Sequence, residues 1–166
     1  MTLPLTTADS LTLATSLAQA KDPADVYRAV EQLVARGPGA KLFTLLVLTK
    51  EGDQVERVYS SNPQAYPLAG LKRMGPTPWG DLVLARRQCY LGHNADDIRW
   101  AFPDHELIAS LGLASAINIP IVAMGRVLGT LNALDVAGHY SESDVQFMKA
   151  LSPVLAVPFL RELGGF

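Results

Sequence analysis

Between Lys72 and Glu106 the chain gathers most of the side chains that could recognise or react with another molecule. Both tryptophans, Trp79 and Trp100, the single cysteine, Cys89, and two of the three histidines, His93 and His105, fall in this one segment. Small-molecule pockets use aromatic rings for contact area and a few polar groups for orientation. The segment therefore reads as a binding region. Lys72 or Arg73 would meet a carboxylate or phosphate, and the tryptophans would stack on a planar or apolar body. Tyr66, Asp97, Asn118 and Asn132 complete the candidate contacts.

Two reactive constellations can also be drawn. Cys89, His93 and Asp97 outline a nucleophilic group, although no glycine-rich elbow or oxyanion motif accompanies them. Cys89, His93, Asp96 or Asp97 and His105 would hold a metal ion only if the fold converged them, since a Cys-x3-His spacing is common by chance. No metal and no cofactor is assigned. Each residue has a plainer reading as well. A cysteine in a short apolar strand behaves as a small hydrophobe, His93 between Gly92 and Asn94 suits a turn, and His105 beside Asp104 suits a helix start. His139, ahead of the last helix, reads as a surface residue.

Asn118 and Asn132 interrupt strands that are otherwise small and apolar. A buried amide without partners costs about 1–3 kcal/mol, so each should have one. Two readings stand side by side: a structural bond to a loop or to each other across the hairpin, and a place facing the ligand on a pocket floor.

The chain has 166 residues, 49% hydrophobic and 18% charged, with 14 basic and 16 acidic side chains. That size and apolar content suit a single domain spanning 1–166 with a core of its own. One cysteine excludes an internal disulfide or a multi-cysteine zinc site and makes the cytoplasm the natural compartment. A slightly negative net charge without basic runs argues against nucleic acid as a partner. The uncharged stretch between Glu106 and Arg126 approaches the length of a bilayer span, but Gly112, Asn118, Pro120 and Gly125 break it into strand and turn, so no membrane partner is expected. The first basic residue is Lys21, so a charged leader region is not expected either.

The spacing predicts a helix over 9–20 and a second one capped by Asp22 with Pro23 in its first turn, the two occupying 1–37. Leu42–Leu48 and Gln54–Ser60 read as a hairpin and 61–75 as irregular chain. A short helix over 79–87, a short strand over 89–91 and two helical turns parted at Pro103 make up a pocket-lining insert over 72–111. Ala114–Val122 and Arg126–Leu134 form a second hairpin. A capping box at Ser141–Asp144 opens a C-terminal helix in 141–166, which Pro153 and Pro158 should kink. This order predicts an α+β fold, with terminal helices on one face of an antiparallel sheet.

Leu111-Gly112 leading into a strand that ends at Pro120-Ile121, a Gly125 hairpin, Val127-Leu128-Gly129-Thr130-Leu131 and a capped helix from Ser141 to Phe147 together resemble a GAF domain. Thr77-Pro78-Trp79-Gly80 sits where such domains begin their pocket-lining region. The resemblance implies five or six antiparallel strands, terminal helices on one face and a small-molecule cavity under the insert on the other, a GAF/PAS-like fold. It implies a sensor-type domain that binds a metabolite, anionic character being read from Lys72 and Arg73, and that passes its signal through a homodimer or a partner. The alternative is an enzyme on the same scaffold using Cys89 or the His93, Asp97 and His105 group. The Asn-Lys-x-Phe-x-Asp-Glu string of cyclic-nucleotide members is absent, and Arg86-Arg87-Gln88-Cys89-Tyr90 does not match a bilin attachment site. Free methionine sulfoxide reductases, which resemble this chain in length, need more than one cysteine. Trp79 and Ala109 stand where two of theirs belong, and Ala116 where an acidic residue does, so that activity is not expected. A homodimer is expected on the terminal helices, with Leu160, Leu163 and Phe166 as apolar surface.

Overall fold

The first two helices begin with reciprocal side-chain and backbone bonds. Thr6 and Asp9 cap each other at the start of α1 (Thr7–Gln19), and Asp22 and Asp25 do so for α2 (Pro23–Arg36). The first helix starts two residues earlier than the Asp9-Ser10 pair suggested, because the Thr6 hydroxyl accepts the Asp9 N–H. The computed structural model describes residues 1–68 and 70–165. In it α1 buries only Leu13, whereas α2 buries Val26, Tyr27, Val30, Leu33 and Val34, a stripe at helical spacing.

Six strands follow: β1 (Leu42–Leu48), β2 (Gln54–Ser60), β3 (Lys72–Arg73), β4 (Tyr90–Gly92), β5 (Ser115–Ala123) and β6 (Arg126–Asp135). They form one open antiparallel sheet in the order β3-β2-β1-β6-β5-β4. The architecture is α+β, as the element order predicts. The irregular reading of 61–75 needs one correction: Lys72 and Arg73 pair with Val55 and Gln54 as a two-residue edge strand. Met124 and Gly125 turn the β5–β6 hairpin, both with positive φ, the geometry that matches strand twist in a two-residue loop.

Between β3 and β4 lie α3 (Pro78–Gly80) and a π-helical turn, Asp81–Ala85. Between β4 and β5 lie α4 (Ala95–Ala101) and α5 (His105–Ser110), parted around Pro103 as expected. After β6, Ser141 and Asp144 cap α6 (Glu142–Leu151). Pro153 cannot continue its hydrogen-bond ladder, and the chain passes through a 3-10 turn, Ser152–Leu155, into α7 (Ala156–Glu162).

Alternate residues of the central strands divide the sheet into two faces. Phe43, Leu45 and Val47 of β1, Ile117, Ile119 and Ile121 of β5, and Leu131 and Ala133 of β6 pack with α2, α6 and α7 in one apolar core. Gly129 makes that approach possible: a Cβ there would lie 2.0 Å from the Leu46 carbonyl oxygen and 2.8 Å from the Phe159 ring. Leu160 and Leu163 are half-buried against this core, so they are not the free apolar surface that the sequence suggested, and Phe166 lies outside the described residues. Among the described residues no helix is long and apolar enough to cross a membrane.

Candidate functional site

The second face of the sheet looks onto the insert, and between them lies a cavity of about 290 Å³. Leu42, Thr44, Leu46, Asn132 and Leu134 of β1 and β6 form its floor, and Trp79, Phe102 and Ile108 close it from the insert. Val55, Arg57, Lys72 and Arg73 of β2 and β3 line one side.

Trp79 owes its place to a local cap. The Thr77 hydroxyl accepts the Gly80 N–H at 2.9 Å and Pro78 occupies the first turn, which directs the indole inward, where it is only 5% exposed. Its N–H donates to Asn118 Oδ1 at 3.0 Å. The Asn118 amide nitrogen donates to Asn132 Oδ1 at 2.7 Å, and Asn132 Nδ2 approaches the Thr44 carbonyl and hydroxyl oxygens at 3.4 Å each. The two asparagine readings are therefore not exclusive. They bond to each other across β5 and β6, and Asn132 also lines the cavity.

Arg57 shares the cavity face with Val55, two residues earlier in β2, and a β-bulge follows it. Leu46 faces Arg57 but Leu45 faces Tyr59, which leaves Val58 as an extra residue in β2. Arg57 and Tyr59, two apart, therefore point to opposite faces. Tyr59 turns to the helices, hydrogen-bonded to Glu31 and packed on Tyr27 and Phe43. Arg57 lies over the Tyr66 ring at 4.8 Å from its centre and donates from Nη1 to the Pro67 carbonyl at 3.1 Å. Tyr66 donates to Asp104 Oδ2 at 2.6 Å. Burial, then the bond and charge of Asp104, push the Tyr66 phenol well above its usual range against the opposing pull of Arg57. Burial also lowers the Arg57 pKa, countered by Tyr66 and Asp104, and the guanidinium stays charged at neutral pH. Its Nε is buried without a hydrogen-bond partner. Among the described residues none of Arg57, Lys72 and Arg73 belongs to an ion pair.

Of the residues singled out from the sequence, Tyr66, Lys72, Trp79 and Asn132 line this cavity, and Asn118 stands beside Asn132 in the next strand, under Trp79. Trp100 and Asp97 do not line it. Helix α4 turns Ile98 and Ala101 inward, which leaves Trp100 facing outward, 48% exposed and stacked on Tyr90 at 5.3 Å. Asp97 is engaged locally, its carboxylate accepting the His93 N–H at 2.7 Å.

The structure joins His93 to Asp97 through the His93 backbone N–H and, among the described residues, gathers no three of the reactive candidates. Cys89 packs against the helix-face core, and burial, with Glu142 adding and Lys149 opposing, raises its thiol pKa, the reverse of activation. His93 is exposed, and His105 lies in the first turn of α5. Among the described residues no three His, Cys, Asp or Glu side chains are grouped to hold a metal ion. Sequence reasoning missed Thr44, Arg57 and Asp104. The lone hydroxyl in an otherwise apolar β1 was a usable signal for the first. Arg57 follows Val55 by strand alternation, a signal that names a face only once the hairpin register is known, and Asp104 left none, because a loop-to-loop bond places it.

The model of the GAF domain family matches residues 20–157. The chain belongs to the GAF domain family. A comparison with curated protein sequences finds no match. Among solved structures, this GAF domain is similar to that of a phosphoenolpyruvate-protein phosphotransferase from Coxiella burnetii, at 17% identity over 96% of each chain with a TM-score of 0.74. The GAF domain of a two-component sensor histidine kinase from Bacillus halodurans is 19% identical, with 89% of this chain and 100% of that one covered and a TM-score of 0.72. The free methionine-R-sulfoxide reductase from Neisseria meningitidis is 18% identical over 100% of both chains, with a TM-score of 0.68. At these identities the likeness establishes the GAF fold and leaves the ligand to be argued from the cavity.

Proposed function

We propose that this GAF domain binds a compact metabolite with an apolar or aromatic body and a negatively charged group. The observation that carries this reading is the cavity, walled by Leu42, Trp79, Phe102, Ile108 and Leu134 and edged by three cationic side chains that have no ion-pair partner among the described residues. Its volume sits near the lower end of the roughly 300–1,000 Å³ usual for ligand pockets, which favours a small ligand. Cations beside a partly desolvated wall attract an anion more strongly than the same charges in open water, and Asp104, which acts on Arg57, is a single carboxylate against three cations in this lining. In this reading the domain is a sensor in the cytoplasm, and a second copy or a partner protein receives its signal. The exposed apolar side chains Leu11 of α1 and Val157 of α7 are the surface proposed for a homodimer.

The test is a metabolite screen by thermal shift, followed by fluorescence titration of a Trp100→Phe variant in which Trp79 is the sole indole. A ligand present at a hundred times its dissociation constant stabilises the folded state by about 2.7 kcal/mol, which such a screen resolves. Anionic hits should alter Trp79 emission and lose affinity in Arg57→Gln. A screen without hits, or hits that leave Trp79 unchanged, would remove the cavity as a binding site. Light scattering that shows a monomer at high micromolar concentration would remove the homodimer.

A further inference from the structure

The hydrogen bonds beneath the cavity run in one direction only, and their ends explain why. An indole nitrogen donates and never accepts, so Asn118 must turn its oxygen to Trp79 and its amide nitrogen to Asn132. Asn132 then has its oxygen occupied and must turn its own nitrogen to Thr44. At that far end stands a backbone carbonyl, which accepts and never donates. A donor-only group at one end and an acceptor-only group at the other leave a single orientation for both amides. Reversing either would set two donors or two acceptors against each other in a buried row.

This fixed direction decides what the cavity floor offers. Thr44 and Asn132 are each 5% exposed, and both line the cavity. The Thr44 hydroxyl accepts from Asn132, so its own proton remains to be given, and among the described residues no hydrogen bond uses it. Asn132 Nδ2 spends its protons on two contacts of 3.4 Å, near the limit of a useful bond. Asp104, the carboxylate in the lining, belongs to the insert and already accepts from Tyr66. The Thr44 proton is thus the floor group left without a partner among the described residues, and an acceptor would satisfy it where a donor would leave it unpaired.

Resting on the binding reading above, we propose that the relay from Trp79 through Asn118 and Asn132 to Thr44 selects the inner end of the ligand. That end is an oxygen acceptor without a proton, such as a carbonyl or carboxylate, and not an amine or an amide N–H. Thr44 and Asn132 contact it. Asn118 and Trp79 are positioning residues that hold the donors in place.

Three shape-matched probes test this: 4-acetylbenzoate, 4-isopropenylbenzoate, in which a methylene replaces the carbonyl oxygen, and 4-(aminomethyl)benzoate. Dissociation constants are measured by ligand-observed NMR for the wild type, Thr44→Val and Thr44→Ser. The acetyl probe should bind the wild type roughly fivefold more tightly than the isopropenyl probe, as one neutral hydrogen bond allows, and the aminomethyl probe should bind weakest. Thr44→Val should abolish the acetyl preference and Thr44→Ser should keep it. A second readout needs no variant: the acetyl probe, and not the isopropenyl one, should shift the side-chain amide resonances of Asn132. Equal binding of the acetyl and isopropenyl probes, tightest binding of the amine, or a preference that survives in Thr44→Val would overturn the proposal. If no probe binds while the metabolite screen finds a ligand, the floor assignment falls and the binding reading stands. If the screen is blank too, both fall.

Discussion

The two faces of one sheet are built from alternate residues of the same strands, yet they are finished differently. Against the helices, Phe43, Leu45, Leu131, Ala133 and Ile119 meet Phe159, Met148 and Val30 in a continuous apolar core. Its neighbouring polar groups, the Tyr27–Glu162 and Tyr59–Glu31 pairs, tie α7 and α2 to the rest. Against the insert, Thr44, Asn132 and Asn118 stand in a row across three strands, Asn118 covered by Trp79 and the other two facing the open cavity. A buried polar row contributes less to stability than the same area of packed hydrocarbon unless every member is paired. The helix face carries the fold, while the insert face sets a hydrogen-bonded polar row beside an open cavity.

A matched pair on β6 puts the contrast to its hardest test. Leu131 faces the helices and Leu134 lines the cavity. Leu131→Ala should cost about 4 kcal/mol, because a closed core collapses poorly around a new void, and Leu134→Ala about 2 kcal/mol, because it only widens existing space. Equal losses in urea unfolding would break the distinction. Gly129→Ala comes next, at about 3 kcal/mol by the same measurement, since its Cβ would meet the Leu46 carbonyl and the Phe159 ring. A cost below about 1 kcal/mol would show that the helix face has slack.

Alkali should loosen both faces together. Burial is the largest cause raising the pKa of all five tyrosines, Tyr27, Tyr59, Tyr66, Tyr90 and Tyr140, above the ordinary 10.0, with Tyr90 pushed up to about 12. The unfolded chain therefore ionises first. The stability contributed by neutral phenols is fully present below about pH 10 and is lost as pH rises through the folded values. Urea midpoints should fall once pH passes about 10, and Tyr66→Phe should remove the share due to the cavity side. A midpoint indifferent to alkali would contradict the burial of these rings. The smallest effect belongs to the cavity edge: Lys72→Met should leave stability within about 0.5 kcal/mol while weakening anionic ligands, as calorimetry and unfolding measured together would show.

Much of this was legible in the chain itself. Capping residues and helical spacing located α2 and α6, continuous apolar runs located β1, β5 and β6, and the order of those elements pointed to an α+β sheet covered by its terminal helices. Such signals are local, set within one or two turns or a few residues of strand, so a linear reading captures them. The site was legible only in part. Trp79, Lys72, Tyr66 and Asn132 meet as residue type suggested, whereas Trp100 shares Trp79's chemistry and points away, because a helix rotates each successive residue by about 100°.

By itself the sequence determined which elements form and which residue types collect in the insert, since propensity, capping and periodicity act between near neighbours. Only the tertiary structure decided which of those residues share a cavity. The register of the β1–β2 hairpin turned Arg57 inward, the extra residue at Val58 turned Tyr59 away from it, and pairing of β1, β5 and β6 aligned Thr44, Asn132 and Asn118 in one row. Strand register is a relation between segments far apart in the chain, and a shift of one residue would have sent every one of these side chains to the opposite face.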